Sequence, residues 1–148
     1  MKIFLASDHA GFELKNAIRE HLFHGGHEVT DVGPEVLEGD DDYPVKAYDV
    51  ATKVLGEEAD ARGILICGSG QGMAMAANRL RGIRAALAWD EMSAHASRED
   101  DDANVLCLPA RQLDEDLALR IVDTWMRTDF STKERYRRRV DELEDLGG

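Results

Sequence analysis

Short apolar runs alternate five times with segments of helical periodicity along this chain, and that alternation limits the fold more than any other feature. The apolar runs occupy residues 3–6, 63–66, 83–87 and 104–108, and residues 27–32 form a further strand-like segment by alternation. Each is long enough for a strand and too short for an independent helix. Strands that alternate with helices over short connections form a parallel sheet with helices on both faces. We therefore expect an α/β fold with a five-stranded parallel sheet, in a single domain over residues 1–148.

The segments between the strands repeat apolar residues at helical spacing. Helices are expected at residues 12–22, 43–54, 73–80, 91–98, 113–125 and 132–146. Gly25 and Gly26 end the first helix, and Pro44 suits the first turn of the second. The last helix is strongly charged, and its few apolar residues form one stripe that packs either on this chain or on a partner subunit. The stripe consists of Tyr136, Val140, Leu143 and Leu146.

Composition narrows the class of partner. The 148 residues carry a formal net charge of -12, which argues against a nucleic-acid-binding surface. A small anionic ligand is still compatible, because it responds to local charge. No apolar run approaches the roughly 20 residues of a membrane span, and the start of the chain is charged too early for a signal peptide. Two cysteines in apolar contexts do not indicate disulfides, so we expect a cytoplasmic protein.

Residues 63–78 join a strand, a glycine-rich turn and a helix. Gly68, Gly70 and Gly72 stand at alternate positions after the strand and Cys67. Without side chains there, backbone N–H groups and the positive end of the helix dipole can face one anion. The same field would favour a thiolate at Cys67. The alternative is that Cys67 is an inert buried cysteine and that the glycines serve only tight packing.

Other polar residues follow the remaining strands. Because the carboxyl ends of parallel strands meet at one edge of the sheet, these residues are expected to share that edge with Cys67. They are Asp8 and His9 after the first strand, Trp89 and Asp90 after the fourth, and Arg111 after the fifth. Asp8 would also suit a helix cap, and His9 a solvated turn.

Arg135, Arg138 and Arg139 share one face of the last helix. They form either a solvated face balanced by nearby acidic residues or a clamp for a phosphate, whose oxygens guanidinium groups bind in pairs. His95, on the fourth helix, is either a proton carrier or a surface residue.

Three common kinds of site fit the sequence poorly. No Cys/His spacing matches a zinc site, and the acidic runs at residues 40–42 and 99–102 are expected to be solvated. Ser69 lacks the spacing of a hydrolase nucleophile elbow. The glycines follow the third strand, whereas a dinucleotide-binding fingerprint follows the first. We expect no metal.

Several short motifs together resemble the ribose-5-phosphate isomerase B family, which includes the galactose-6-phosphate isomerase subunits. They lie at residues 7–11, 42–44, 63–70, 77–78, 82–85 and 102–106, with a closing pair at Arg135 and Arg139. The resemblance covers nearly the whole chain. It implies a Rossmann-like three-layer α/β/α sandwich with an extra C-terminal helix. It also implies an aldose–ketose isomerase without metal or cofactor, acting on a phosphorylated sugar as a homodimer with shared active sites, or as a dimer of dimers.

The resemblance also implies roles for individual residues. Cys67 matches the family's catalytic base, and Ser69 matches a residue that assists proton movement between the sugar oxygens. The family's ring-opening histidine aligns with Asp100 and its neighbouring asparagine with Asp101, so Asp100 is expected to be a third catalytic residue. The substrate and phosphate contacts match Asp8, His9, Tyr43, Gly68, Ser69, Gly70, Gln71, Gly72, Asp101, Arg111, Arg135 and Arg139.

The implied reaction interconverts ribose 5-phosphate and ribulose 5-phosphate through an enediolate. One alternative is an isomerase of a six-carbon sugar phosphate, such as galactose 6-phosphate or allose 6-phosphate. Another is a non-catalytic module in which the turn only binds the phosphate of a sugar or nucleotide. The thiol of Cys67 beside the turn favours an enzyme, because a pure binding module does not need it.

Overall fold

The computed structural model describes residues 1–33, 42–57 and 60–147. Its strands form one parallel sheet in the order β2-β1-β3-β5-β4. They are β1 Lys2–Ser7, β2 Glu28–Asp31, β3 Arg62–Cys67, β4 Ala85–Leu87 and β5 Val105–Pro109. Each lies within two residues of a segment that the sequence predicts, so the expected five-stranded α/β fold is confirmed. Most of the acidic run at residues 40–42 lies outside the described residues.

The described residues also form six α-helices, none of which is long and apolar enough to cross a membrane. They are α1 Phe12–His24, α2 Tyr43–Gly56, α3 Gln71–Ala77, α4 Glu91–Glu99, α5 Glu115–Arg127 and α6 Glu134–Glu144. Short 3-10 turns, His9–Gly11 and Ala110–Gln112, precede α1 and follow β5. α3 begins two residues earlier than predicted, with Gly72 inside its first turn, and it ends at Ala77 rather than at residue 80.

The helices form two layers, one on each face of the sheet. α2 and α3 cover one face, where the core includes Phe4, Leu65 and Val105. α1, α4 and α5 cover the other, where Ile64 and Trp125 are buried. Successive strand residues point to opposite faces, so strands covered on both sides are apolar at most positions. This arrangement confirms the predicted three-layer α/β/α sandwich.

Pro109 is the last residue of β5, although the sequence predicts that it stops the strand. It pairs with Cys67 of β3, whereas β4 already ends opposite Cys107. No β4 residue therefore needs an N–H donor at this position, so proline is tolerated there.

α6 packs at the amino-terminal edge of the sheet. Val140 is buried, and the Glu144 carboxylate accepts a hydrogen bond from Arg84 Nη1 at 2.6 Å. Leu143 and Leu146 are 47% and 72% exposed. The predicted apolar stripe thus meets its own chain chiefly through Val140 and leaves two leucines accessible to another surface.

Candidate active site

β1 and β3 are neighbours in the sheet, but the helices that follow them, α1 and α3, pack on opposite faces. Open α/β sheets bind ligands in the crevice that such a change of direction creates at the carboxyl ends of the strands. Asp8 follows β1 and Cys67 ends β3. The Asp8 N–H donates to the carbonyl oxygen of Ile66 at 3.2 Å, so Asp8 and Cys67 meet at this crevice.

The sulfur of Cys67 lies beneath the glycine-rich turn. The residue is only 5% exposed, and the N–H of Gly70 donates to Sγ at 3.1 Å. Gly70 adopts φ 74°, in the left-handed region, and a Cβ there would lie 2.5 Å from Leu87 Cδ1. A backbone donor aimed at sulfur stabilises negative charge on it.

The second cysteine has a different environment. Cys107 is fully buried on the same face of the sheet as Cys67, and both are free thiols. Burial in the core raises the pKa of the Cys107 thiol, and the nearby Cys67 raises it further. Cys107 therefore stays protonated and belongs to the core.

Two side chains pack against the backbone of the turn. A Cβ added to Gly68 would lie 2.6 Å from the guanidinium carbon of Arg111, and one added to Gly72 would lie 2.7 Å from the ring of Tyr43. The absence of a side chain at both positions lets the Arg111 and Tyr43 side chains pack directly on the turn. The Arg111 N–H also donates to the Gly68 carbonyl oxygen at 3.0 Å, and Ser69 Oγ accepts from the Gln71 N–H at 3.3 Å.

Asp8 caps a turn, as the sequence allows, because its Oδ1 accepts the N–H of Gly11 at 3.2 Å. His9 begins that 3-10 turn and is exposed. The carboxyl-edge cluster therefore contains the predicted contacts at this end of the sheet. Its members are Asp8, His9, Tyr43, Cys67, Gly68, Ser69, Gly70, Gln71, Gly72 and Arg111.

Asp90, which the sequence also predicts at this edge, serves as the N-cap of α4. Its carboxylate accepts the Ser93 N–H at 2.7 Å, and hydrogen bonds from the Ser93 backbone and hydroxyl lower its pKa. Trp89 beside it is exposed.

The remaining predicted residues lie elsewhere. α4 starts after β4 and ends before β5, so Asp100 and Asp101 lie at the amino-terminal edge of the sheet. The Ser131 N–H donates to the Glu99 carbonyl oxygen at 3.0 Å and brings the start of α6 to the same place. Asp100, Asp101, Arg135 and Arg139 form this amino-edge cluster. Arg138, predicted on the same face, instead pairs with Glu134 at 3.7 Å.

Charges interact within the amino-edge cluster. Burial raises the pKa of Asp101, the charge of Asp100 raises it further, and Arg139 opposes both effects. The pKa of Arg135 is raised mainly by a hydrogen bond to Tyr136, with a smaller contribution from Asp100. Two carboxylates and two guanidinium groups therefore share one small region.

Asp102 is not a solvated acid, as the sequence led us to expect. Its Oδ1 accepts from the buried Arg98 at 2.9 Å, and its Oδ2 lies 3.4 Å from Arg84 Nη2. Arg84 also reaches Glu144 of α6, and Asp102 adopts φ 50°. This network fixes the turn that carries Asp100 and Asp101. Sequence reasoning missed it, because Asp102 lies beyond the end of α4 and no helical spacing rule connects it to Arg98.

His95 is a paired surface residue here. Its Nε2 lies 2.6 Å from Glu99 Oε2 and its Nδ1 lies 3.3 Å from Thr128 Oγ1. Glu99 is therefore also paired, contrary to the expected solvated run.

The two clusters stand at opposite ends of the strands. β5 runs from Val105, near the amino-edge cluster, to Pro109, which pairs with Cys67. At about 3.3 Å per residue, that strand alone separates the two edges by roughly 13 Å. One small ligand cannot contact both clusters of the same chain.

A family model described as Ribose/Galactose Isomerase matches residues 3–143. The chain belongs to this family. The membership confirms the resemblance inferred from the motifs, and the match extends over the sheet, the glycine-rich turn and nearly all of α6.

Curated relatives of the family match this chain over most of their length. A probable ribose-5-phosphate isomerase B of Mycoplasma genitalium is 43% identical over 141 residues, covering 95% of this chain and 92% of the relative. Ribose-5-phosphate isomerase B of Mycobacterium tuberculosis is 40% identical over 143 residues, covering 97% of this chain and 88% of the relative.

Solved structures of the family share the fold. Ribose-5-phosphate isomerase B of Mycoplasma genitalium, with bound ribulose-5-phosphate, superposes with a TM-score of 0.93 at 43% identity, covering 97% of this chain and 93% of that one. A ribose 5-phosphate isomerase of Thermotoga maritima superposes with a TM-score of 0.92 at 45% identity, and the match covers 98% of each chain.

Proposed function

We propose that this chain is a ribose-5-phosphate isomerase of type B, which interconverts ribose 5-phosphate and ribulose 5-phosphate. The observation that carries the proposal is the Cys67 sulfur at the crevice between β1 and β3, with the Gly70 N–H directed at it at 3.1 Å. A thiolate in that position can serve as a base beside a turn suited to an anion. Whole-chain similarity to named ribose-5-phosphate isomerases supports the choice of substrate.

In the proposed mechanism Cys67 removes the proton from C2 of the open-chain aldose and returns it to C1. The enediolate formed between these steps carries negative charge on oxygen. Ser69 moves the second proton from O2 to O1, so the ketose forms with no net change in atoms. Gly70 and Gln71 already donate their N–H groups to Cys67 and Ser69. We therefore assign the enediolate oxygen to the other N–H groups of the turn, at Gly68, Ser69 and Gly72.

We further propose that each active site combines the carboxyl-edge cluster of one chain with the amino-edge cluster of another. Five bonds join C2 of the sugar to phosphorus, at about 1.5 Å a bond. They cannot span the roughly 13 Å between the clusters of one chain. In a homodimer, or a dimer of dimers, Arg135 and Arg139 of the partner would bind the phosphate while Cys67 reaches C2. The accessible Leu143 and Leu146 of α6 support such a partner.

We propose that residues 1–148 form one cytoplasmic isomerase domain. Asp8, His9, Tyr43 and Arg111 of the carboxyl-edge cluster would contact the sugar and its phosphate together with the turn. Asp101 would contact the substrate from the partner chain. Remote contacts of this kind convert binding energy into orientation of the reacting carbons.

A panel of sugar phosphates tests the proposed substrate. We expect turnover of ribose 5-phosphate with a kcat/KM at least about tenfold above those of allose 6-phosphate and galactose 6-phosphate, because one misplaced carbon costs about 1.4 kcal/mol or more. A higher kcat/KM on a six-carbon substrate would identify the chain instead as an isomerase of a six-carbon sugar phosphate. No turnover, with nucleotide binding that Cys67→Ala leaves intact, would support the non-catalytic module instead.

Ring opening gives a separate prediction. Cyclic ribose 5-phosphate must open before C2 can be deprotonated, which moves a proton from the anomeric hydroxyl and returns one to the ring oxygen. We assign this relay to Asp100 of the amino-edge cluster. Asp100→Ala should therefore lower kcat on ribose 5-phosphate about a hundredfold, and lower kcat on ribulose 5-phosphate, which cannot cyclise in the same way, much less.

His95→Ala is the matched control for that measurement, because His95 lies on the same helix but is already paired with Glu99. His95→Ala should leave kcat unchanged on both ribose 5-phosphate and ribulose 5-phosphate. Equal losses in both directions for Asp100→Ala, or none, would remove the ring-opening role. A one-sided loss in His95→Ala would transfer the role to the histidine.

A further inference from the structure

We infer that Tyr136 is a positioning residue that fixes the guanidinium groups of Arg135 and Arg139 in one orientation suited to a phosphate. The inference rests on the proposed function, in which these two arginines bind the phosphate of the sugar. Tyr136 is not among the residues that the family resemblance assigns to the site. Its contacts in α6 carry the inference.

The ring of Tyr136 contacts both arginines. The guanidinium carbon of Arg135 lies 4.9 Å from the ring centroid, and that of Arg139 lies 5.7 Å from it. Both distances are within the range of a cation–π interaction. In addition, Arg135 Nη2 donates a hydrogen bond to the Tyr136 hydroxyl oxygen at 3.3 Å. Tyr136 is half-buried, whereas both arginines are exposed.

A ring that contacts both guanidinium groups helps two arginines at i and i+4 to hold one geometry. Like charges at this spacing repel, and each long side chain loses rotamer freedom when it adopts one geometry. An electron-rich ring that touches both cations offsets part of the repulsion and limits the orientations that each can take. The guanidinium groups are then already oriented when a phosphate binds, so the arginine side chains lose less conformational entropy on binding.

The same helix offers a matched control. The guanidinium carbon of Arg137 lies 5.8 Å from the ring centroid of Phe130, which is a contact of the same kind and length. Neither Arg137 nor Phe130 belongs to the amino-edge cluster. Removing the Phe130 ring therefore tests what loss of one arginine–aromatic contact does without touching the proposed phosphate site.

The experiment compares Tyr136→Leu, Tyr136→Gln and Phe130→Leu in steady-state assays with ribose 5-phosphate, with inorganic phosphate as competitive inhibitor. Both Tyr136 variants should raise KM and the inhibition constant of phosphate by the same factor, about tenfold, with kcat within about twofold of wild type. Tyr136→Phe keeps the ring and should retain most of the affinity. Phe130→Leu should change neither constant. The glutamine variant suits a half-exposed helix position, so the test does not depend on how leucine is tolerated.

Arg135→Gln and Arg139→Gln separate this inference from the proposed function. If both raise the inhibition constant of phosphate and the Tyr136 variants leave it within about twofold of wild type, Tyr136 has no positioning role. If the arginine variants themselves leave that constant unchanged, the phosphate site is assigned wrongly and the inference falls with it. Equal changes in Tyr136→Leu and Phe130→Leu would also overturn the inference, because the effect would then belong to α6 as a whole.

Discussion

Replacing Cys67 by serine is expected to lower kcat at least about a thousandfold while KM stays within a few-fold of wild type. Serine keeps the shape of the side chain and can still accept the Gly70 N–H, which lies 3.1 Å from the sulfur in the native chain. An alcohol is a far weaker acid than a thiol, so the variant lacks the base. The phosphate contacts are remote from Cys67, so binding should persist.

Steady-state kinetics of Cys67→Ser beside Cys107→Ala provide the measurement. Cys107 is fully buried, and burial raises the pKa of its thiol, so its removal should affect stability and leave kcat within about twofold of wild type. Alkylation by iodoacetamide should likewise label Cys67 before Cys107. Near-normal kcat in Cys67→Ser would remove Cys67 from the role of base.

Gly70→Ala is expected to damage both stability and catalysis. Gly70 adopts φ 74°, and an added Cβ would lie 2.5 Å from Leu87 Cδ1 and 3.0 Å from the backbone carbon of Leu108. The leucine side chain can move, but the β5 backbone cannot move without disturbing the sheet. We expect the free energy of unfolding to fall by about 1–3 kcal/mol. Because the N–H of residue 70 would shift away from the sulfur, kcat should also fall about tenfold or more.

Gly56→Ala is the control for that variant. Gly56 ends α2, and among the described residues a Cβ there meets no atom within 4 Å beyond its chain neighbours and the backbone of its own helix. Alanine favours a helix over glycine, so this variant should be at least as stable as wild type and equally active. The test is to measure the free energy of unfolding in denaturant, and kcat, for both variants. If Gly70→Ala matches Gly56→Ala in both quantities, the geometry of the turn does not matter as we describe.

The strands could be predicted closely because their signal is local. Each buried strand is apolar at successive positions, and short turns bound it, so residues 62–67 or 105–109 need no distant partner to be recognised. The carboxyl-edge cluster was also predictable, since parallel topology alone brings the residues after β1, β3 and β5 to one edge. Pro109 was misjudged because its tolerance depends on where β4 ends.

The network of Arg84, Asp102 and Glu144 beside the amino-edge cluster could not be predicted from the sequence. Arg84 contacts Asp102 and Glu144, which are 18 and 60 residues away in the chain, and no spacing rule predicts such contacts. The run of neighbouring carboxylates predicts a raised pKa for Asp100, whereas the raised pKa found in the folded chain is that of Asp101, and burial is its main cause. The contact of Tyr136 with both arginines likewise depends on rotamers.

We have proposed that one active site takes its base from one chain and its phosphate-binding arginines from another. Cys67→Ser and the double variant Arg135→Gln/Arg139→Gln should each be nearly inactive alone. In a heterodimer of the two, one site has both defects and the other has none. Co-expressed with different affinity tags and purified as heterodimers, the pair should recover about half of wild-type kcat per dimer. Heterodimers as inactive as either parent would contradict the claim, because a site contained within one chain would always carry a defect.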